Sequence, residues 1–247
     1  MLRACLVLAL ATLGLGACNG DDGGDDGGDD APGGGGCPID PSFDNASCGD
    51  QINFTGELVD WDNDTTFCGV FDALFQVQGD GAMDTTGPNG RFALCVPDQA
   101  VTLLDVTPAA ASSPCTSPAS PYPLPGIAVA HRDVLRSGAF FSVRTFTAAR
   151  RDSFFADAGF SFAPALAQVL VHVHGTPRAV SIAAAHGPTQ AVADRAWAPG
   201  DTGHEVFFPN VDPGGGSTML SVAGGASGIG PVPVVAGTFT YVTVCAR

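Results

Sequence analysis

Between residues 52 and 106 apolar side chains recur at every second position in short runs, and each run ends at a turn rich in Gly, Pro, Asn or Asp. Ile52, Phe54, Gly56 and Leu58 alternate with Asn53, Thr55, Glu57 and Val59. Phe71, Ala73, Phe75 and Val77 alternate with Asp72, Gln76 and Gln78, and Phe92, Leu94 and Val96 follow the turn Pro88-Asn89-Gly90. Pro97-Asp98 leads into a further run from Val101 to Val106, while Asp60-Trp61-Asp62-Asn63-Asp64 and Gly79-Asp80-Gly81 carry turn chemistry. A period of two belongs to strands with one buried face. With 33 Gly and 19 Pro in 247 residues, long helices have little room, so the pattern predicts a mainly β fold and excludes all-α and coiled-coil alternatives.

The stretch from Gly56 to Pro108 resembles the carboxypeptidase regulatory-like domain, a small transthyretin-like β-sandwich. The residues that carry the resemblance are the opening Gly56-x-Leu58-x-Asp60, the strand Gly69-Val70-x-Asp72-Ala73, Thr86 with Asn89-Gly90-Arg91-Phe92, and the strand end Val96-Pro97. These are turn and core positions, so the resemblance implies a fold rather than an activity. Cys68, Cys95 and a long acidic first turn depart from that family's pattern.

A weaker second copy follows. Ala165 to His174 reads as a strand, residues 201–213 echo the Thr86 stretch, and runs from Thr218 to Val222 and Thr238 to Cys245 complete it. Pro231 and Pro233 mark an edge or a crossover. The region between is rich in Pro, Ser and Ala, then reads as helical over Ala128 to Arg136 and Thr145 to Ala158, with Gly159 as a stop. The expected architecture is therefore a tandem of transthyretin/Ig-like β-sandwiches, residues 37–108 and 164–247, around a linker and helical insert at 109–163. Half of the basic residues, Arg132, Arg136, Arg144, Arg150 and Arg151, fall in that insert, and are expected to pair with an acidic body.

The first residues read as an address. Met1-Leu2-Arg3 and a 13-residue apolar run to Gly16 form a secretory signal over residues 1–17, too short to span a bilayer. Leu15-Gly16-Ala17-Cys18 resembles the bacterial lipobox, which implies lipid attachment at Cys18, and Asn19 leans towards the outer membrane. Residues 18–36 continue as a tether whose Asp pairs and glycines offer nothing to bury; its 16-residue Asp/Gly tract spans roughly 20 to 25 Å as a flexible coil. Cys37, Cys48, Cys68, Cys95, Cys115 and Cys245 are then an even set outside the cytoplasm and predict three disulfides of open pairing. The formal charge of −15, with Arg but no Lys, excludes a nucleic-acid footprint.

Few residues carry candidate chemistry. His172 and His174 lie two apart on a strand, so their rings share a face; with His186, His204 or Glu205 they compose a nitrogen-rich set suited to zinc, copper or iron. The intradiol ring-cleavage dioxygenases are similar in a His-x-His strand with two Tyr ligands to iron, but Tyr122 and Tyr241 do not follow that family's order. Asp60, Asp62 and Asp64 begin like a calcium loop, yet Thr65 and Phe71 stand where an EF-hand needs Gly and Glu, leaving a looser calcium-binding turn. No G-x-S-x-G, S-x-x-K, H-E-x-x-H or phosphate-binding glycine loop is present. The expectation is a non-enzymatic cell-envelope surface lipoprotein, membrane-anchored through Cys18, without cofactor, and displaying β-sandwiches to an envelope protein or glycan. The alternative is a metal-dependent protein, either an oxidoreductase at the His-x-His strand or a calcium-binding adhesin at the Asp60 turn.

Overall fold

Most runs with period-two alternation form strands in the computed structural model, which describes residues 48–62, 68–108, 121–193 and 196–246. The first half contains β1 (Ile52–Asp60), β2 (Leu74–Val77), β3 (Met83–Thr85), β4 (Arg91–Val96) and β5 (Val101–Thr107). The middle contains β6 (Gly126–His131), α1 (Arg132–Arg136), β7 (Phe141–Thr145) and α2 (Ala148–Asp157). The remainder contains β8 (Ala167–His174), β9 (Arg178–Ile182), β10 (Gln190–Ala193), β11 (Ala196–Pro199), β12 (Thr202–Gly203) and β13 (Glu205–Val211). It ends with β14 (Ser217–Val222), β15 (Ala226–Ser227), β16 (Gly230–Pro233) and β17 (Phe239–Ala246). The signal, the tether, Cys18, Cys37, Asp64 and Cys115 lie outside the described residues. No described helix is long and apolar enough to cross a membrane.

One sheet runs through both halves in the order β11-β10-β13-β8-β17-β6-β5-β2-β3, and β15 pairs with the end of β17. Strand β17 lies at its centre, parallel to β8 on one side and to β6 on the other. A parallel strand flanked in this way is buried on both faces, and every residue of β17 is buried. Sheet β4-β1-β7 covers one face of the long sheet: Phe54, Phe92 and Phe141 join Phe75, Leu170, Phe207 and Phe239 in a common core. Sheet β12-β9-β14-β16 covers the other, where Val180, Leu220 and Val232 meet Val169, Val206 and Val242. The fold is mainly β, as expected, and its two sandwiches lie on opposite faces of a shared sheet.

The insert departs from its expected helices. Residues Ala128 to His131 are strand, because β6 pairs with both β5 and β17 and its small side chains fit between two covered faces. Gly126 is required there: a Cβ would stand 2.4 Å from Cε2 of Tyr241. Helix α1 is left with Arg132–Arg136. Residues Phe141–Thr145 add β7 alongside β1, so the second helix begins only after Thr147, whose hydroxyl accepts from the amide of Arg150. Strand β2 also starts later than its alternation suggests. Asp72 adopts a φ of +65°, which breaks the extended chain and leaves Phe71 52% exposed. The proline-marked strand β16 is an edge, as expected.

Candidate functional site

Strand β1 ends at Asp60 and delivers Trp61 to the layer between the sheets and α2. The indole is fully buried and stacks on that of Trp197 from β11, with centroids 4.5 Å apart and planes 10° apart. Phe154 of α2 and Phe207 of β13 meet Trp61 edge-on, at 5.1 and 5.0 Å. Against this pair lies a cavity of about 400 Å³, lined by both indoles together with Asp62, Arg150, Asp157 and Gln190 among others. Arg150 holds Asp62 through two bonds, Nε to Oδ2 at 2.6 Å and Nη2 to Oδ1 at 2.9 Å. Asp157, at the exposed end of α2, is the cavity's other carboxylate. Neither Trp61 Nε1 nor Trp197 Nε1 has an acceptor among the described residues, although both atoms are buried.

Buried polar groups fix Trp61 from behind. Arg144 of β7 donates from Nη1 to the Trp61 carbonyl at 3.1 Å, and its Nε lies 2.5 Å from Glu205 Oε2 of β13. Both side chains are almost fully enclosed, at 9% and 5% exposure. Asp60 accepts from the Tyr122 hydroxyl at 3.0 Å and from the amide of Asp62 at 3.3 Å. Burial pushes the Asp60 carboxyl above the usual carboxylate range. Tyr241, enclosed in β17, is pushed up by burial as well.

The sequence-derived site residues are only partly assembled. His172 stands beside Thr243 and Glu205 on the neighbouring strands, with its Nδ1 3.9 Å from Glu205 Oε1. Burial lowers its imidazole to about 3, and His174, His204 and Arg144 add to the lowering. His174 and His204 are exposed, and His186 places its Nδ1 2.7 Å from the Gly187 carbonyl while its ring meets Phe208 edge-on. Among the described residues no three His, Cys, Asp or Glu side chains gather as a metal ion would require. At the acidic turn the carboxylate of Asp60 is turned to Tyr122 and that of Asp62 to Arg150. Cys48 and Cys95 form a disulfide, and Cys68 and Cys245 are disulfide-bonded too.

The arginines of the insert pair with carboxylates, as expected. Arg132 and Arg136 reach Asp98, Arg150 reaches Asp62, and Arg151 reaches Asp152 and lies over Phe162. Arg144 is the exception in place, being a strand residue inside the molecule. Trp61 falls in the acidic turn, and Trp197 lies in an Ala/Pro-rich run with no alternation to mark it. One signal could have singled them out: they are the only two Trp in the chain.

No family model matches the chain, and no curated protein matches it. The resemblance to the carboxypeptidase regulatory-like domain therefore reaches no further than a mainly β sandwich. Among solved structures, shaft pilin SpaA from Lactobacillus rhamnosus GG is similar at 10% identity, covering 80% of this chain and 98% of that chain, with a TM-score of 0.23. At that score nothing about this chain follows from the likeness.

Proposed function

We propose that the chain is a non-enzymatic surface lipoprotein of a bacterial envelope, held to the membrane through Cys18 and displaying its joined β-sandwiches to an envelope protein or glycan. The observation that carries the reading is the oxidation of every described cysteine, Cys48, Cys68, Cys95 and Cys245, in a chain that opens with a signal and lipobox pattern. Disulfides persist outside the cytoplasm, so the covalent state and the address agree. The acidic Asp/Gly tether supports display at a distance from the lipid, because like charges extend it. Such tethering suits a module that meets its partner by its surface.

Fractionation of cells producing the wild-type chain and Cys18→Ser tests the anchor. The wild type is expected in the membrane fraction and cleavable by added protease on intact cells, with the variant released. Wild-type protein in the soluble cytoplasmic fraction contradicts the reading. Purified protein is expected to bind isolated envelopes saturably, and binding that never saturates counts against a display module.

A further inference from the structure

Cys68 and Cys245 are oxidised, and Cys48–Cys95 is the one disulfide formed between described residues, so the partners of Cys68 and Cys245 lie outside them. Cys5 and Cys18 are set aside on the lipoprotein reading above, on which this pairing rests, and Cys37 and Cys115 remain. Two pairings are then open. We infer that Cys245 is bonded to Cys37, which fastens the end of the tether to the central strand β17 and leaves Cys68 for Cys115. Each bond forms as a thiol pair gives up two protons and two electrons to the disulfide of an extracytoplasmic carrier, which is reduced to its dithiol.

The described residues on either side of Cys115 stand with Cys68. Val106, Gly126 and Phe239 form one row of the long sheet, so β5 ends at the Phe239 end of β17. The chain returns at that same end: the Pro125 carbonyl accepts from the amide of Phe239, and the Tyr122 hydroxyl donates to Asp60, whose own amide donates to the Cys68 carbonyl at 2.8 Å. Cys245 is six residues further along β17, about 20 Å away at the rise of a strand. Cys115 would meet it only with the eight-residue arm from Thr107 drawn out nearly straight along the sheet, whereas Tyr122 is already beside Cys68. Cys245 instead belongs to the end where β1 begins. Ile52 lies opposite Val96, and Asp98, two residues on, holds Arg132 and Arg136 of α1. Ser137 follows α1 and sets its Oγ 3.9 Å from Cys245 Sγ, while Val134 packs with Cys245. The eleven residues from Cys37 to Cys48 can span about 36 Å, enough to bring Cys37 to that end.

An Asp stands between every two consecutive cysteines from Cys18 onward, so a protease that cuts before Asp separates them all. Full-length protein from producing cells, its thiols blocked in acid, is digested without reductant and read by mass spectrometry. A bridge between residues 30–39 and 212–247 is expected, and reduction removes it. Cys245 bonded to Cys18, Cys68 or Cys115, or recovered as a free thiol, overturns the inference. A second measurement follows the tether in isolated membranes, using a chain with a specific protease site inserted after Asp44. Cleavage is expected to leave the domain on the membrane until a reductant is added, with release at least tenfold greater after reduction. Release on cleavage alone overturns the inference, as does retention that persists in Cys245→Ser. Uncut protein in the soluble fraction removes the anchor reading, and the bridge, read on that soluble protein, then stands or falls separately.

Discussion

The two faces of the long sheet are made by the same strands yet are filled with different chemistry. On the face towards β4-β1-β7, β8, β13 and β17 present Leu170, Phe207, Phe239 and Tyr241, next to Trp61, Phe146 and Phe154. On the other face the same strands present Val169, Val171, Val206, Phe208, Val242 and Val244, and valine dominates that core. Valine packs closely on a pleated surface, and two sheets alone can bury it. Aromatic side chains reach further and leave room for α2, for the buried Arg144–Glu205 pair and for the cavity. The valine face is a close-packed seam between two sheets, whereas the aromatic face leaves a cavity beside the stacked indoles.

That contrast can be sharpened by mutation. Trp61→Ala removes a fully buried indole at the centre of the aromatic cluster and is expected to cost about 4 kcal/mol, against about 2 kcal/mol for Val171→Ala on the opposite face. Chemical denaturation of both variants measures the gap, and equal losses would break the comparison. Next in size is Glu205→Ala, which strands Arg144 inside the protein and is expected to cost about 3 kcal/mol. The double variant Arg144→Met, Glu205→Leu is expected to regain most of that loss, because both buried charges leave together. A double variant as unstable as the single would show that the pair has a further structural role.

Acid should act on this side of the sheet as well. His172 is lowered from 6.5 to about 3, so the fold favours the neutral ring. Its contribution is complete above pH 6.5 and is lost as pH falls from there towards 3. His131, lowered by burial, acts in the same direction. Melting temperature is expected to fall through this window, and His172→Gln to flatten the slope; an unchanged slope would place the acid sensitivity elsewhere. The smallest effect is that of Arg150→Ala. Its pair with Asp62 is partly solvated, at 27% and 47% exposure, so the loss is expected below about 1 kcal/mol.

How far the sequence disclosed this structure depended on whether the signal was local. Alternation and turn residues marked β1, β4, β5, β8, β14 and β17 because each needs only its own side chains to show a buried face. Strand β6 was hidden, since Gly126-Ile-Ala-Val-Ala alternates too weakly in size to declare a strand and is also acceptable in a helix. The central position of β17 was hidden for a different reason: parallel pairing with β6 and β8 joins residues more than 60 apart in sequence, and no local pattern encodes it. The cavity was the least legible. Trp61 and Trp197 come from an acidic turn and an Ala/Pro-rich edge strand, and only folding brings their rings within 4.5 Å.

Both sandwiches share one sheet through β17, and equilibrium unfolding tests that sharing most directly. Tryptophan fluorescence reads the aromatic side, while far-ultraviolet circular dichroism reads all strands together. Coincident denaturant transitions with a single midpoint are expected, because removing β17 from either neighbour opens both cores. Two resolved transitions, with fluorescence lost while half of the strand signal persists, would contradict it and restore two independent domains.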